Sequence, residues 1–480
     1  MTIQRFFKRS LIAAPAEFVF AWHERPGAFF RLAPPWENIR LIRQQGGIRD
    51  GNELEFAMQL GPFSRRWIAR HQNYIPGVQF EDVQIAGPFR SWKHTHRIIP
   101  DGPERCFLED SVEYELPGGS IGAWLGSTSI HATLTKMFAT RHDVTIHDID
   151  MHWKFQKSGE HSPSLSGDVS NDSLPNSTRS IMRILLSGAT GLIGSTLRPM
   201  LTTGGHTVIP LTRSRQTVHG DAVVWDPQNR SVDRSQLEGF DAVIHLAGEN
   251  IGTKRWTPKQ KEIIKNSRVV GTRFLCEQLA QLDRPPKVLV CASAIGYYGD
   301  RGDELLDEQN PPADDFLARV CREWETVTEP ARQKNIRVIN LRTGVVLSPR
   351  GGALHKMLTP FKLGFGGVVG SGRQYWSWVD IDDVAGVIVH CLHHEELSGP
   401  INGVAPGSVT NRDFTMILGK VLRRPTIFPL PAFVVKLMLG EMGEALLLSS
   451  TRVAPVRLEQ SGYAFRYPTL EASLRHLLGR

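Results

Sequence analysis

The sequence predicts a doubly wound α/β domain with a small C-terminal substrate domain, preceded by an α+β domain. Three features carry that expectation. The first is Ser187-Gly188-Ala189-Thr190-Gly191-Leu192-Ile193-Gly194, set between the strand-like Ile184-Leu185-Leu186 and a helix-like stretch reaching Leu201. The second is the alternation, from Ile181 onward, of short apolar runs with helical patterns, which reads as parallel strands joined by helical crossovers. The third is a different texture up to about Phe155, where residues alternate at period two before one long helical pattern begins.

A chain of 480 residues has room for two or three domains. We expect a ligand-binding domain over 1–156, a flexible linker over 157–180, a nucleotide-binding domain over 181–400 and a substrate-side domain over 401–480. The formal charge is +7, but basic and acidic residues are interspersed and no run of five basic residues occurs. That distribution argues for a mildly basic globular protein and against a nucleic-acid partner. Cys106, Cys276, Cys291, Cys321 and Cys391 are odd in number and lack zinc-type spacing, as expected of a reduced, cytoplasmic protein. Arg5, Lys8 and Arg9 precede a short apolar stretch, but Glu17 interrupts it, so no signal peptide is expected. Phe433 to Leu448 is broken by Lys436, Glu441 and Glu444 and reads as a buried or amphipathic helix, not a membrane span.

In the first region Leu54, Phe56, Met58 and Leu60 alternate with polar residues, as do Trp92, His94, His96 and Ile98, and Leu108, Val112, Tyr114 and Leu116. Gly61-Pro62, Pro76-Gly77 and Gly87-Pro88 punctuate these runs as turns. From Ser127, Ile130, Leu134, Met137 and Phe138 recur at helical spacing. His131, His142 and His147 in that stretch do not share one helical face, so no metal site is expected there. This order, with the opening RSLIAAPAEFVFAWHERPGAFFRLAPPW, resembles the helix-grip fold of the polyketide-cyclase and START-like superfamily. The resemblance implies an apolar ligand between sheet and long helix, with Trp92, Phe56 and Met58 as plain core the alternative.

The stretch from Lys157 to Ser180 is rich in Ser, Asn, Pro and Gly, as a flexible linker is. After it, each glycine of the fingerprint has its own role. Gly188 allows the sharp turn, Gly191 lets backbone approach a pyrophosphate, and Gly194 permits close helix–strand packing. With Ala189, Thr190, Leu192 and Ile193 they form the first turn of a dinucleotide site, and the helix N-terminus adds partial positive charge. Gly204-Gly205 stops the helix and Thr207-Val208-Ile209 begins the second strand. At its end an NAD-specific site would place an acid on the ribose hydroxyl. Thr212-Arg213-Ser214-Arg215 stands there instead, and a guanidinium suits a 2′-phosphate, so NADP(H) is the expected cofactor.

Asp241 to Gly248, with Leu246, Ala247 and Gly248 at its end, reads as a buried apolar strand ending in small residues, which let the adenosine and ribose lie against its carboxyl end. Thr257-Pro258 is an N-cap and first-turn proline for a helix towards Leu279. Val288-Leu289-Val290 leads to Ser293-Ala294-Ile295-Gly296-Tyr297-Tyr298-Gly299, and Val338 to Arg342 is one more strand. The GATG, HLAG, Ser293/Tyr297-Tyr298-Gly299 and VDIDDV runs resemble the extended short-chain dehydrogenase/reductases, which include sugar-nucleotide epimerases and dehydratases. GENI with RWTPKQK, SAIGYYGDRGDE, FLARVCREWE, GRQYWSWVDIDD and the tail from Leu430 are more similar to an atypical subgroup. That subgroup comprises the epimerase-family NADP-dependent oxidoreductases with their own C-terminal domain, and the likeness runs from Ile181 to Gly479.

The family's reaction uses a Ser, then a Tyr with a Lys four residues later. In this chain the register places Asp315 at the Tyr position and Arg319 at the Lys position, so the usual Tyr is absent. The resemblance therefore implies Ser293 as a hydrogen-bond donor, Tyr297 or Tyr298 as proton donor, and Arg319 at the ribose. Asp303, Glu304, Asp307 and Glu308 read as a solvated loop, and Trp376 and Trp378 as either wall of a substrate pocket or core, with the pocket wall favoured. The leading expectation is an NADP(H)-dependent oxidoreductase of a small or lipidic carbonyl or alcohol. A non-catalytic NADPH sensor or apolar-ligand carrier is the alternative from another class. A nucleotide-sugar epimerase or dehydratase is the third, weakened by the missing Tyr and by Arg213.

Overall fold

In the computed structural model, which describes residues 3–60, 63–160, 181–214 and 221–480, the period-two runs up to Glu115 form one antiparallel sheet. Its strands are β1 (Gln4–Ile12), β2 (Ile39–Gln45), β3 (Glu53–Leu60), β4 (Phe63–Ile75), β5 (Gln79–Ala86), β6 (Ser91–Pro100) and β7 (Cys106–Glu115). They lie in the order β1-β7-β6-β5-β4-β3-β2. Two short helices, α1 (Ala16–Glu24) and α2 (Ala28–Leu32), fall between the first two strands, and the long α3 (Gly119–Glu160) follows the last. The helix starts before the periodicity at Ser127 announces it. Gly61-Pro62 and residues 161–180 of the expected linker lie outside the described residues.

One face of this sheet carries two apolar clusters. Phe20, Trp22, Phe80, Ile98 and Ile149 belong to one, and Phe6, Trp67, Trp92, Val112 and Phe138 to the other. Trp92 is therefore core, with Phe56 and Met58 half-buried against it.

Contacts group the chain into two units. One comprises Met1–Ile181, Pro199–His206 and Gly479, and the other Met182–Arg198, Thr207–Leu478 and Arg480. From Arg183 onward strands and helices alternate: β8 (Arg183–Ser187), α4 (Leu192–Thr203), β9 (Thr207–Thr212), β10 (Val223–Asp226), β11 (Ser231–Val232) and β12 (Ala242–His245). Next come α5 (Pro258–Leu279), β13 (Val288–Ala294), β14 (Leu305–Leu306), α6 (Phe316–Thr326), α7 (Glu329–Gln333) and β15 (Arg337–Thr343). They are followed by β16 (Val345–Leu347), α8 (Gly352–Lys362), β17 (Tyr375–Trp376), β18 (Trp378–Asp380), α9 (Ile381–His393) and β19 (Gly399–Gly403). The tail adds β20 (Val409–Thr410), α10 (Asn411–Leu422) and α11 (Ala432–Leu439) among other short elements.

The main sheet has the order β11-β10-β9-β8-β12-β13-β15-β19, parallel except at the β10–β11 pair. Its central strands are apolar on both faces because helices cover both. Ala242 to His245 and Ile184 to Ser187 are all buried. Thr257 caps α5 as its sequence announces, accepting from the Gln260 N–H at 3.2 Å, with Pro258 in the first turn.

Trp376 and Trp378 take the core alternative. Both are buried in the cluster with Phe414, Leu418 and Leu474, and the Trp378 indole donates to the Gly407 carbonyl at 2.7 Å. An aromatic side chain on a short internal strand buries more apolar area there than at a cavity wall. All five cysteines are free and buried. Among the described residues no helix is long and apolar enough to cross a membrane.

Candidate functional site

Strand order reverses between β8 and β12, and at such a switch point the carboxyl ends of the strands open a crevice for ligand. The fingerprint turn sits there. Gly188 has φ +72°, and a Cβ on it would lie 3.0 and 3.1 Å from the Leu246 and Ala247 backbone. A Cβ on Gly194 would run into the Gly188 carbonyl oxygen and stand 2.8 Å from Ala189 Cα. The Gly191 N–H closes the turn on the Gly188 carbonyl at 2.9 Å. Thr190 and Gly191 are exposed at the start of α4, with Ala189, Leu192 and Ile193 half-buried around them. The first N–H groups of a helix have no intrahelical acceptor and carry partial positive charge, which suits a pyrophosphate.

The far wall is tied to this turn by side chains. Ser187 Oγ accepts from the Leu246 and Ala247 N–H groups at 3.1 and 3.3 Å, so its own hydrogen goes to His245 Nδ1 at 2.6 Å. Burial pushes the His245 imidazole down to about 4, keeping it the neutral acceptor this bond requires. Gly248 is exposed, and Arg268 behind it donates to the Glu249 carbonyl at 3.0 Å. Arg213 follows β9 with an exposed side chain; Arg215 lies outside the described residues. A cradle cleared of side chains at a helix N-terminus, with an arginine where an acid would serve NAD, fits a phosphorylated dinucleotide.

The next strand, β13, brings Ser293 and, through the turn after it, Tyr297 and Tyr298. Ser293 Oγ donates to Glu325 Oε1 on α6 at 2.7 Å. Arg342, at the end of β15, grips the same carboxylate through Nε and Nη2, both at 2.8 Å. It also donates through Nη1 to the Tyr298 oxygen at 3.0 Å. Tyr298 in turn donates to Asn402 Oδ1 at 2.8 Å, and Asn402 N–H donates to Glu308 at 3.0 Å. Burial pushes the Tyr298 phenol up to about 12, although the Arg342 and Asn402 contacts pull the other way. Burial also opposes the Arg342 charge, but the Glu325 carboxylate more than offsets this and holds the guanidinium protonated. Tyr297 is half-buried, and its ring lies under the same guanidinium, 3.5 Å from carbon to ring centre.

Ser293, Tyr297 and Tyr298 thus meet in one network around Arg342 and Glu325, and Arg319 does not join it. The Arg319 side chain turns to the Asp314 carbonyl and lies 3.5 Å from the Asp314 carboxylate. Asp315, in the place of the family Tyr, caps α6 by accepting from the Ala318 N–H at 2.9 Å. The helix begins too late to carry a tyrosine there. Glu308 also departs from expectation: it is buried, accepting from Asn402, rather than lying in a solvated loop. Glu325, Arg342 and Asn402 carry no sequence motif that marks them as functional. The available signal was a charged residue ending the apolar strand Val338 to Arg342.

Residues 184–402 match the NAD dependent epimerase/dehydratase family, residues 12–137 the polyketide cyclase / dehydrase and lipid transport family, and residues 430–477 a domain of unknown function. An epimerase family protein of Mycobacterium bovis is 38% identical over 297 residues, covering 62% of this chain and 98% of that protein. The chain belongs to the epimerase family. Human epimerase family protein SDR39U1 is 36% identical over 301 residues, 62% of this chain and all of its own length. The crystal structure of SDR39U1 with NADPH aligns at a TM-score of 0.58, with 34% identity over 62% of this chain and 99% of that one. The nucleoside-diphosphate sugar epimerase of Corynebacterium glutamicum aligns at a TM-score of 0.77 and 34% identity, over 99% of this chain and 90% of that one. The likeness to the Corynebacterium protein therefore takes in both units.

Proposed function

We propose that this epimerase-family chain is an NADP(H)-dependent oxidoreductase acting on a small or lipidic carbonyl or alcohol. The observation that carries the reading is Tyr297, a half-buried phenol in the turn after β13, the strand beside β12, which Leu246, Ala247 and Gly248 follow. Gly188, Ala189, Thr190, Gly191, Leu192, Ile193 and Gly194 would hold the pyrophosphate, and Arg213 the 2′-phosphate. NADPH in the human relative supports that assignment. When bound, the cofactor supplies or accepts the hydride.

The chain's own residues must handle the proton. Reduction of a carbonyl leaves negative charge on its oxygen, which needs a donor within about 3 Å. Tyr298 is a poor donor, because its hydroxyl is engaged with Asn402 and Arg342 inside the fold. Ser293 is engaged with Glu325. Tyr297 keeps its hydroxyl for substrate, while Arg342 and Glu325 fix its ring. Arg319, at the surface, acts on neither.

The tail supports an apolar substrate. Leu439 and Met442 pack against Trp256 and Phe316, and Lys261 pairs with Glu441 at 2.6 Å, so this segment lies beside the start of α6. The outer side of α11 leaves Phe433, Leu437 and Met438 exposed by 71, 75 and 65%. In the N-terminal unit the match to the polyketide cyclase / dehydrase and lipid transport family supports a lipidic ligand, while Trp67 and Trp92 themselves pack as core. Unpaired buried cysteines fit a cytoplasmic location.

The second reading, an NADPH-binding sensor, is favoured by the engaged hydroxyls of Ser293 and Tyr298. A nucleotide-sugar epimerase, as the Corynebacterium relative is named, is disfavoured by the missing Tyr–Lys pair. The deciding experiment offers the chain short and long-chain aldehydes and ketones with C4-deuterated NADPH and looks for deuterium in product. Transfer of label supports the oxidoreductase. Tight NADPH binding with no label transfer to any of them supports the sensor.

A further inference from the structure

Between the two apolar clusters of the N-terminal unit runs a polar band that neither the dinucleotide site nor an apolar-ligand reading uses. It crosses the inner face of the sheet from strand to strand. Asp82 on β5 lies opposite His94 on β6, and Asp110 on β7 lies opposite His96. His142 reaches in from α3 and Ser10 from β1. His94, His96, Asp110 and His142 are all buried, between 1 and 6% exposed, while the Asp82 side chain keeps 19%, so solvent reaches the band from that side.

We propose that Asp82, His94 and His96 form a binding site for a divalent transition-metal ion, with Asp110 as its supporting carboxylate. The donors converge. His94 Nδ1 is 3.0 Å and His96 Nε2 3.6 Å from the same oxygen, Asp82 Oδ2, and one donor atom of each of the three residues lies within 4.8 Å of the others. Donors at about 2.1 Å from one ion stand roughly 3–3.5 Å apart, so small side-chain adjustments bring these to an ion. Two imidazoles and a carboxylate suit zinc or ferrous iron, and they leave a coordination position for water or another oxygen ligand.

The support behind the ligands is of the kind metal sites require. Metal-bound imidazoles pass their other nitrogen to a carboxylate or carbonyl, which fixes ring orientation. Here Asp110 Oδ1 hydrogen-bonds with His94 Nε2 at 3.0 Å, and it stands 2.7 Å from His96 Nδ1 without hydrogen-bond geometry, the ring nitrogens facing away from Asp82. Its other oxygen is 2.7 Å from His142 Nε2, and His142 Nδ1 is 2.8 Å from Ser10 Oγ. His96 is held flat against Phe80, ring centres 4.2 Å apart.

The charge inventory points the same way. Among the described residues the ion-pair partners of Asp82 and Asp110 are histidines alone. With neutral imidazoles the band holds two carboxylates and, facing both, the Arg141 guanidinium, in an interior where unpaired charge is costly. A divalent ion offsets the negative charge that Arg141 leaves. The other His/Asp group, Asp380, Asp382 and His476, differs: Arg466 already stands 3.6 Å from Asp382 there.

The test uses the full-length chain, stripped with a chelator and titrated with Co²⁺ and then Zn²⁺, away from any NADP(H) measurement. We expect one equivalent of Co²⁺ with visible ligand-field bands, displaced by Zn²⁺. Asp82→Asn and His96→Gln should lower affinity at least tenfold, with far-ultraviolet dichroism unchanged. Asp110→Asn should cost about 10–100-fold with the band shape kept, as loss of an outer-shell partner does. Zinc-edge X-ray absorption on the unmutated chain should show two imidazoles among nitrogen and oxygen scatterers, a readout that stands even where a variant fails to fold. Binding well below one equivalent, affinity unchanged in a folded Asp82→Asn variant, or a zinc site without imidazole would each overturn the proposal.

Discussion

Ser187 and His245 end adjacent parallel strands, and the 2.6 Å bond between Oγ and Nδ1 ties the phosphate turn to the wall facing it. Because Ser187 Oγ already accepts two backbone N–H groups, only a neutral His245 can take its hydrogen. This links folding to pH. The imidazole titrates at 6.5 when unfolded and about 4 when folded. Between those values the unfolded chain holds a proton that the folded chain does not. Stability therefore rises with pH through this window, is complete above 6.5, and is lost on acidification towards 4. The contribution is at most about 3 kcal/mol. His152 and His390, also pushed down by burial, act in the same direction. The informative measurement is thus the difference in unfolding midpoint between the native chain and His245→Asn across pH 4–7. A slope equal in both would remove His245 from the account.

Cofactor choice turns on Arg213. NADPH should bind at least tenfold tighter than NADH, about 1.4 kcal/mol, and Arg213→Asp should reverse or abolish that preference. Titration calorimetry with both cofactors reads it directly. The side chain is exposed at the end of β9, so the substitution leaves the fold in place.

Glu325 and Arg342 are a buried pair, their side chains 13 and 3% exposed. Removing one partner of such a pair strands the other charge, which typically costs about 3–5 kcal/mol. Glu325→Ala should therefore destabilise the second unit by that amount, read from its denaturation midpoint, and free the Ser293 hydroxyl as well. An Arg342→Met, Glu325→Met double variant should recover much of the loss, since neither charge is then left alone. Equal destabilisation in the single and double variants would show that packing, not charge pairing, sets the cost.

What the sequence made legible, and what it did not, follows from where the constraints act. The turn at Gly188 and the close approach at Gly194 are visible because the left-handed backbone of the one and the neighbours of the other lie within eight residues, and Thr257-Pro258 because a cap is local. The pairing of β5, β6 and β7 places Asp82, His94, His96 and Asp110 side by side, yet they span 29 residues of sequence. His142 lies in a stretch whose histidines invite a metal reading, but helical spacing says nothing of partners on the sheet. The Arg342–Glu325 network was hidden likewise, because register between a strand and a crossover helix cannot be counted along the chain. Trp376 and Trp378 misled in the opposite sense, since an aromatic residue reads alike in core and in pocket wall.

The two adjacent tyrosines should separate sharply under the same mutation. Tyr298 is wholly buried, donating to Asn402 and accepting from Arg342. Tyr298→Phe leaves Arg342 Nη1 and Asn402 Oδ1 short of a partner, and an unsatisfied buried group costs about 1–3 kcal/mol. Its effect should appear as a lowered unfolding midpoint. Tyr297 is half-buried, and its ring lies under Arg342 without any hydroxyl bond needed for packing. Tyr297→Phe keeps the ring and its contact with the guanidinium, so stability and NADPH affinity should hardly change. Loss of a general acid costs about 10²–10⁴ in rate, and on a substrate found by the deuterium assay kcat should fall by that factor. The pair is best read as a two-by-two comparison of kcat and unfolding midpoint. A Tyr297→Phe variant with undiminished kcat would remove it as proton donor. If in addition Tyr298→Phe lost activity while keeping its stability, the roles assigned to the two phenols would have to be exchanged.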